Sequence, residues 1–184
     1  MIDTIATRAV DQNEKVLTDL AKKIWENPET AFNEVKACEW TAEVLRNAGF
    51  EVETGYVGMP TAIRAVWGKG HPVIGFLGEY DALPGLSQKV STEKEPVTPG
   101  AAGQGCGHNL LGVACLGAAL GMKAELEATR QRGYAIDDME HEFGVKCVAM
   151  PIFDKTHKLY AAISVSGLAV HFTDRQIQEW ALLI

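Results

Sequence analysis

The chain lacks a basic excess. Its 17 lysines and arginines are outnumbered by 24 acids, giving a formal charge of −7, and this excludes a general phosphate-neutralising surface for nucleic acid. It also lacks an uninterrupted apolar run approaching the roughly 18 residues that a membrane span needs, so no membrane partner is expected. The four cysteines, Cys38, Cys106, Cys115 and Cys147, have the spacing of neither a disulfide scaffold nor a CxxC knuckle. The opening "MIDTIATRAVDQNEK" has no apolar signal core. A cytoplasmic chain with reduced thiols is the expectation. Internal repeats and low-complexity tracts are absent, and no Glu-Glu pair occurs anywhere.

What is present divides into two textures. Residues 3 to 27 read as one amphipathic helix, with Ile5, Val16, Leu17, Leu20, Ile24 and Trp25 at helical intervals and Asn27-Pro28 as its end. A second helix is expected over Ala31 to Ala48, with Phe32, Val35, Trp40, Val44 and Leu45 inward and Gly49 as its stop. "FEVET" and "TAIRAVWG" read as strands, and "PVIGFLG" as a buried one. Residues 84 to 105 form a long loop, a type that is usually functional or disordered. A helix from Asn109 to Arg132 follows, rich in small residues at first and charged later. Leu116, Leu120 and Met122 should face the first sheet, Leu126 should anchor the second piece, and Gly133 should end the helix. Beyond Gly133, "YAID", "KCVAMPIF" and "LYAAISVS" are strand-like, "FDKTHK" is a hairpin turn, and "TDRQIQEWALLI" is a closing helix with Thr173 and Gln176 in capping-box spacing.

Two places concentrate chemistry. "GFLGEYDALPG" carries Glu79 and Asp81 at the end of an extended run, where alternation points both carboxylates to one side. The competing reading is a pair of solvated acids in a turn. "GAAGQGCGHNLLGVACLGAAL" places Cys106 and His108 two apart between glycines that let the backbone fold tightly. A thiolate and an imidazole suit a divalent metal. The competing reading is a buried thiol beside a helix-capping histidine.

Together these two motifs resemble the amidohydrolase branch of the dinuclear metallopeptidases, which includes aminobenzoyl-glutamate hydrolase subunits and hydrolases of N-acyl and auxin-amino-acid conjugates. The resemblance covers residues 1 to 123. It implies that Cys106 and His108 are metal ligands and that Asp81 lies beside the metal centre in a catalytic role. Glu79 stands where many members have Asp. The family's general base belongs to a pair of adjacent glutamates, which this chain does not contain. The expectation is therefore a metal-dependent amidohydrolase-like chain, inactive as it stands, holding zinc or manganese weakly. His141, His157 and His171 read as surface groups.

A second resemblance covers residues 124 to 184. "RGYAIDDMEHEFGVKC" and "AAISVSG" are similar to the end of the effector-binding domain of IclR-type transcriptional regulators. It implies a small-molecule site at Asp137, Cys147, Ser164 and Ser166, where hydroxyls donate to a small oxo or hydroxy acid. Neither a winged helix-turn-helix nor the first part of such a domain is recognisable, so direct nucleic-acid binding is not expected. The expected architecture is α/β: a helix-flanked mixed sheet joined through a continuous helix to a small antiparallel α+β piece. Open strand edges should favour a homo-oligomer. Three function classes stay open: a metal-dependent amide hydrolase or its ligand-binding remnant, an effector-binding fragment, and a chain without an active site.

Overall fold

Apolar residues at helical intervals build the amino-terminal half, but in two helices rather than one. The computed structural model describes residues 4–183. Helix α1 spans Ile5–Gln12 and α2 spans Glu14–Glu26; the expected start at residue 3 lies outside the described residues. The break falls at Asn13. Its backbone N–H bonds to Val10 O at 3.0 Å, and its side-chain amide donates to Ala9 O at 2.8 Å. An asparagine that satisfies the preceding carbonyls itself competes with helix continuation. Helix α2 buries Leu17, Leu20, Ala21 and Ile24, whereas Val16 is exposed.

Helix α3 runs Val35–Asn47 and begins later than its periodicity suggests. Phe32 adopts φ of +65° in a tight turn and is exposed, as is Val35, so neither packs inward. The reason is a cap supplied from upstream. The Glu29 carboxylate accepts from Lys36 N at 3.1 Å and Ala37 N at 3.0 Å, which satisfies first-turn donors and fixes the helix start. Strands β1 (Glu51–Thr54) and β2 (Ile63–Val66) pair antiparallel in a two-stranded sheet. The core of this half joins Leu17, Leu20, Ile24, Ala37 and Leu45 to Val113, Leu116 and Leu120. Ile24 is 2% exposed, and burial of such a side chain is worth about 1.5–3 kcal/mol.

The "PVIGFLG" run is not a strand. It is extended without a ladder partner, and Val73, Ile74, Phe76 and Leu77 are exposed. A continuous apolar run becomes a buried strand only where strands flank it, and the β1–β2 pair does not reach it. The first sheet is correspondingly smaller than expected. Among the described residues its parallel element is the single bridge between Thr30 and Ala82.

Helix α4 is one unbroken helix, His108–Arg132. By length and composition alone it is apolar enough to cross a membrane, yet Val113, Leu116 and Leu120 pack one face of it into the core described above. Met122 is half-buried and Leu126 is exposed, so Leu126 is not an anchor. Gly133 ends the helix at φ of +83°, donating its N–H to Thr129 O at 3.0 Å. Near this end Arg132 pairs with Glu125 at 2.7 Å and donates to Tyr134 O at 2.7 Å.

The chain divides into two compact units, one of Ala6–Lys123 and one whose main part is Ala124–Ile184. In the latter, β3 (Ala135–Asp138), β4 (Val145–Phe153) and β5 (Leu159–Leu168) form an antiparallel sheet in that order. The turn between β4 and β5 is organised by Asp154. Its Oδ1 accepts from Thr156 Oγ1 at 2.6 Å, Thr156 N at 2.7 Å and Lys158 N at 3.0 Å. These bonds, the Thr156 hydroxyl first, hold the carboxyl below the ordinary range. Helix α5 (Asp174–Ala181) carries the expected capping box between Thr173 and Gln176. Val148, Phe172, Ile177 and Ala181 form the core here, with Phe172 edge-on to Trp180 at 4.7 Å. The expected α/β architecture with an antiparallel second piece is the one observed.

Candidate metal centre and ligand face

The amino-terminal site begins with an extended segment held on both sides. Ala82 donates its N–H to Glu29 O at 2.7 Å, and Leu83 exchanges two 3.0 Å backbone bonds with Gly103. Alternation then sends Tyr80 one way and its neighbours Glu79 and Asp81 the other. The half-buried Tyr80 hydroxyl donates to Thr61 O. The Thr61 hydroxyl in turn donates to the buried Glu34 carboxylate at 2.6 Å. Burial pushes the Tyr80 phenol well above its ordinary value, and the neighbouring Cys38 thiol and Glu34 carboxylate add to it.

Both acids reach the same imidazole. Asp81 Oδ1 lies 2.7 Å from His108 Nδ1, and Glu79 Oε2 lies 3.1 Å from His108 Nε2. Asp81 and His108 are mostly shielded, while the Glu79 side chain is 56% exposed and opens the site to solvent. A glycine makes this approach possible. A Cβ on Gly112 would stand 2.6 Å from Glu79 O, so α4 and the acidic segment meet backbone to backbone.

The arrangement has an electrostatic consequence. A neutral imidazole has one N–H, yet both ring nitrogens face carboxylate oxygens. With Nδ1–H donated to Asp81, the Nε2 lone pair points at a carboxylate, and a proton or a cation must stand between them. Two donor atoms about 2.1 Å from one ion at angles of about 90–109° lie about 3.0–3.4 Å apart. The 3.1 Å between His108 Nε2 and Glu79 Oε2 accommodates that separation as well as an N–H···O hydrogen bond. The residues present therefore fit a divalent cation shared by Glu79 and His108, with Asp81 orienting the ring.

Of the residues singled out in the sequence, Asp81 and His108 are brought together, and Glu79 joins them. Cys106 is not. Its thiol is exposed and lies outside the cluster, because Gly107, at φ of +76°, turns the chain between it and His108. Sequence reasoning missed Gln104, whose side chain touches both halves of the site; its place four residues before His108 carried no local signal. His141, His157 and His171 are exposed.

In the carboxy-terminal unit, register places Asp137, Cys147 and Ser166 in one cross-strand row, and Ser164 opposite Ala149 in the next row on the same face. Val148 and Ile136 point to the opposite face, where α5 packs, so the four lie on the face that α5 leaves open. Ser164 and Ser166 are exposed, and Asp137 and Cys147 are half-buried. Desolvation works to raise Asp137, but backbone N–H groups of His141 and Glu140, at 3.3 and 3.0 Å, outweigh it and hold the carboxyl below its ordinary range. It is an anion with one oxygen engaged by the turn.

Comparison with known proteins finds two resemblances along the chain. Residues 116–184 match the family described as Bacterial transcriptional regulator IclR C-terminal. The amino-terminal part is similar to a subunit of p-aminobenzoyl-glutamate hydrolase from Escherichia coli (strain K12), 46% identical over 126 residues, covering 68% of this chain and 26% of that protein. Xaa-Arg dipeptidase of Mus musculus is 33% identical over 139 residues, covering 67% of this chain and 27% of the dipeptidase. Transcriptional repressor IclR of Escherichia coli (strain K12) is 41% identical over 63 residues, covering 34% of this chain and 23% of the repressor. The chain thus spans about a quarter of the length of these relatives. A match of 126 residues in the amino-terminal part extends past residue 116, so the two resemblances overlap within α4. The chain is a chimera, its amino-terminal part similar to an aminobenzoyl-glutamate hydrolase and its carboxy-terminal part similar to the C-terminal domain of IclR-type regulators.

Proposed function

We propose that residues 1–123 are an amide-hydrolase-type metal module that binds a divalent cation, zinc or manganese, without turning substrate over. The observation that carries this is the single imidazole facing two carboxylates. Glu79 and His108 hold the cation, and Asp81 accepts the Nδ1–H of His108 and fixes the ring; the exposed Cys106, outside this cluster, is the further donor that the family resemblance implies. When bound, such a cation supplies Lewis-acid polarisation of a carbonyl. The family's Glu-Glu pair is absent from the chain, and a general base is typically worth about 10²–10⁴ in rate. Few protein ligands also make for weak binding. The test is zinc and manganese titration of the chain and of a Glu79→Gln/His108→Ala double variant, beside a p-aminobenzoyl-glutamate hydrolysis assay. Loss of binding in the variant, with no hydrolysis by either protein, is expected. Unchanged metal content would end this reading.

A second reading rests on the open face of the β3–β5 sheet. Residues 124–184 would bind a small carboxylate effector, with Ser164, Ser166 and Cys147 donating to it and Asp137 receiving its hydroxyl or a water. Calorimetry with small 2-oxo acids, against a Ser164→Ala/Ser166→Ala variant, decides it; equal heats from both proteins would exclude the site. Both readings assign the chain to the cytoplasm, where its free thiols stay reduced. Neither involves direct contact with nucleic acid.

A further inference from the structure

The ligand atoms of the metal centre sit on two separate pieces of chain. Glu79 and Asp81 belong to an extended segment, and His108 is the first residue of α4. Each piece is anchored independently. The acidic segment is held by the Tyr80 hydroxyl on Thr61 O and by Ala82 N on Glu29 O. The start of α4 is held by the buried Asn109, whose amide donates to Ala21 O at 3.2 Å. Neither anchor sets the spacing between the pieces.

Beside the cluster Gln104 spans the gap, while Cys115 Sγ ties α4 to Leu77 O at 3.0 Å farther along the segment. Gln104 donates from Nε2 to Tyr80 O at 3.1 Å and accepts at Oε1 from Asn109 N at 3.2 Å. Tyr80 lies between the two acids, and Asn109 follows His108. A single amide therefore contacts backbone adjacent to every residue of the cluster. It also caps one of the unpaired N–H groups that any helix presents at its start. Its own backbone is pinned, because Gly103 is bonded to Leu83 in both directions and a Cβ on Gly103 would stand 1.9 Å from Leu86 O.

We infer that Gln104 is the positioning residue of this site: its amide sets the distance between the Glu79 carboxylate and the His108 ring by tying Tyr80 O to Asn109 N. The inference rests on the reading that Glu79 and His108 share a cation. Partners that orient ligands typically cost about 10–100-fold in metal affinity when removed.

The test uses the full chain and Co²⁺ as an optical probe, with affinity and visible absorption measured for the wild type, Gln104→Met, Gln104→Glu and His108→Ala. Thermal midpoints of the cation-free proteins are recorded beside them. The methionine variant keeps the volume and loses both hydrogen bonds. It is expected to bind about 10–100-fold more weakly, with altered band intensity. The glutamate variant keeps an acceptor for Asn109 N–H but cannot donate to Tyr80 O. Its added negative charge alone would tighten cation binding, whereas loss of the bridge loosens it, so the two explanations differ in sign. Weaker binding by Gln104→Glu at a near-wild-type midpoint is the expected result. Binding as tight as wild type by either variant would overturn the positioning role. Equal binding by wild type and His108→Ala would remove the cation site itself, and the inference with it.

Discussion

Tyr80 shows how one side chain joins the core to the site. Its hydroxyl donates inward to Thr61 O, while its neighbours in sequence face His108. Burial raises the phenol above its ordinary value, so the folded protein keeps it protonated where the unfolded chain would ionise. That contribution is fully present below the unfolded pKa of about 10 and is lost as pH rises beyond it. Chemical denaturation of the wild type should therefore show stability falling above about pH 10, and Tyr80→Phe should flatten that decline. At neutral pH the same variant loses a hydrogen bond worth about 0.5–1.5 kcal/mol. An alkaline limb identical in both proteins would show that another group is responsible.

At the scale of elements, the close contact of α4 with the acidic segment and the cap of α5 are the sensitive points. Gly112→Ala places a methyl group 2.6 Å from Glu79 O, and backbone must move to relieve it. Overpacking of this kind typically costs about 1–3 kcal/mol. Because the displaced atom belongs to Glu79, cation affinity should fall together with the thermal midpoint; a lower midpoint with unchanged affinity would separate the contact from the site. At α5, Thr173→Ala removes the acceptor for Gln176 N and half of the capping box. A loss of about 1 kcal/mol in denaturant titration is expected, and a value near zero would show that Gln176 caps this end without its partner.

For the whole molecule, the dominant feature is apolar surface on extended chain. Val73, Ile74 and Leu77 are exposed on one unpaired stretch, and Tyr160, Ile163 and Val165 on the edge strand β5. The ten residues of β5 include no charge and no proline, the usual means of blunting an edge. Sedimentation velocity should therefore reveal concentration-dependent self-association. Ile163→Lys, which puts a charge beside that edge, should shift the distribution toward monomer. A monomer at all concentrations would mean that the edge is blunted by some other route.

The features legible in the sequence were local ones. The Asp154 turn, the Thr173–Gln176 box, the Gly133 stop and the unbroken helix through "KAELEA" each depend on residues within about a helical turn of one another. The strands of the second unit were equally readable, because short connections leave antiparallel pairing as the natural outcome. The acidic turn was visible as a pair of carboxylates, but its partner was not settled. Asp81 and His108 are 27 residues apart, and Gln104 reaches Tyr80 across 24. Tertiary structure alone set His108 between the two acids, supplied Glu29 as the cap that delays α3, and left the 73–77 run without a strand beside it among the described residues. The physical reason is common to all three. Periodicity and propensity describe what a segment can bury or pair, while the partner that completes it is set by the path of distant chain.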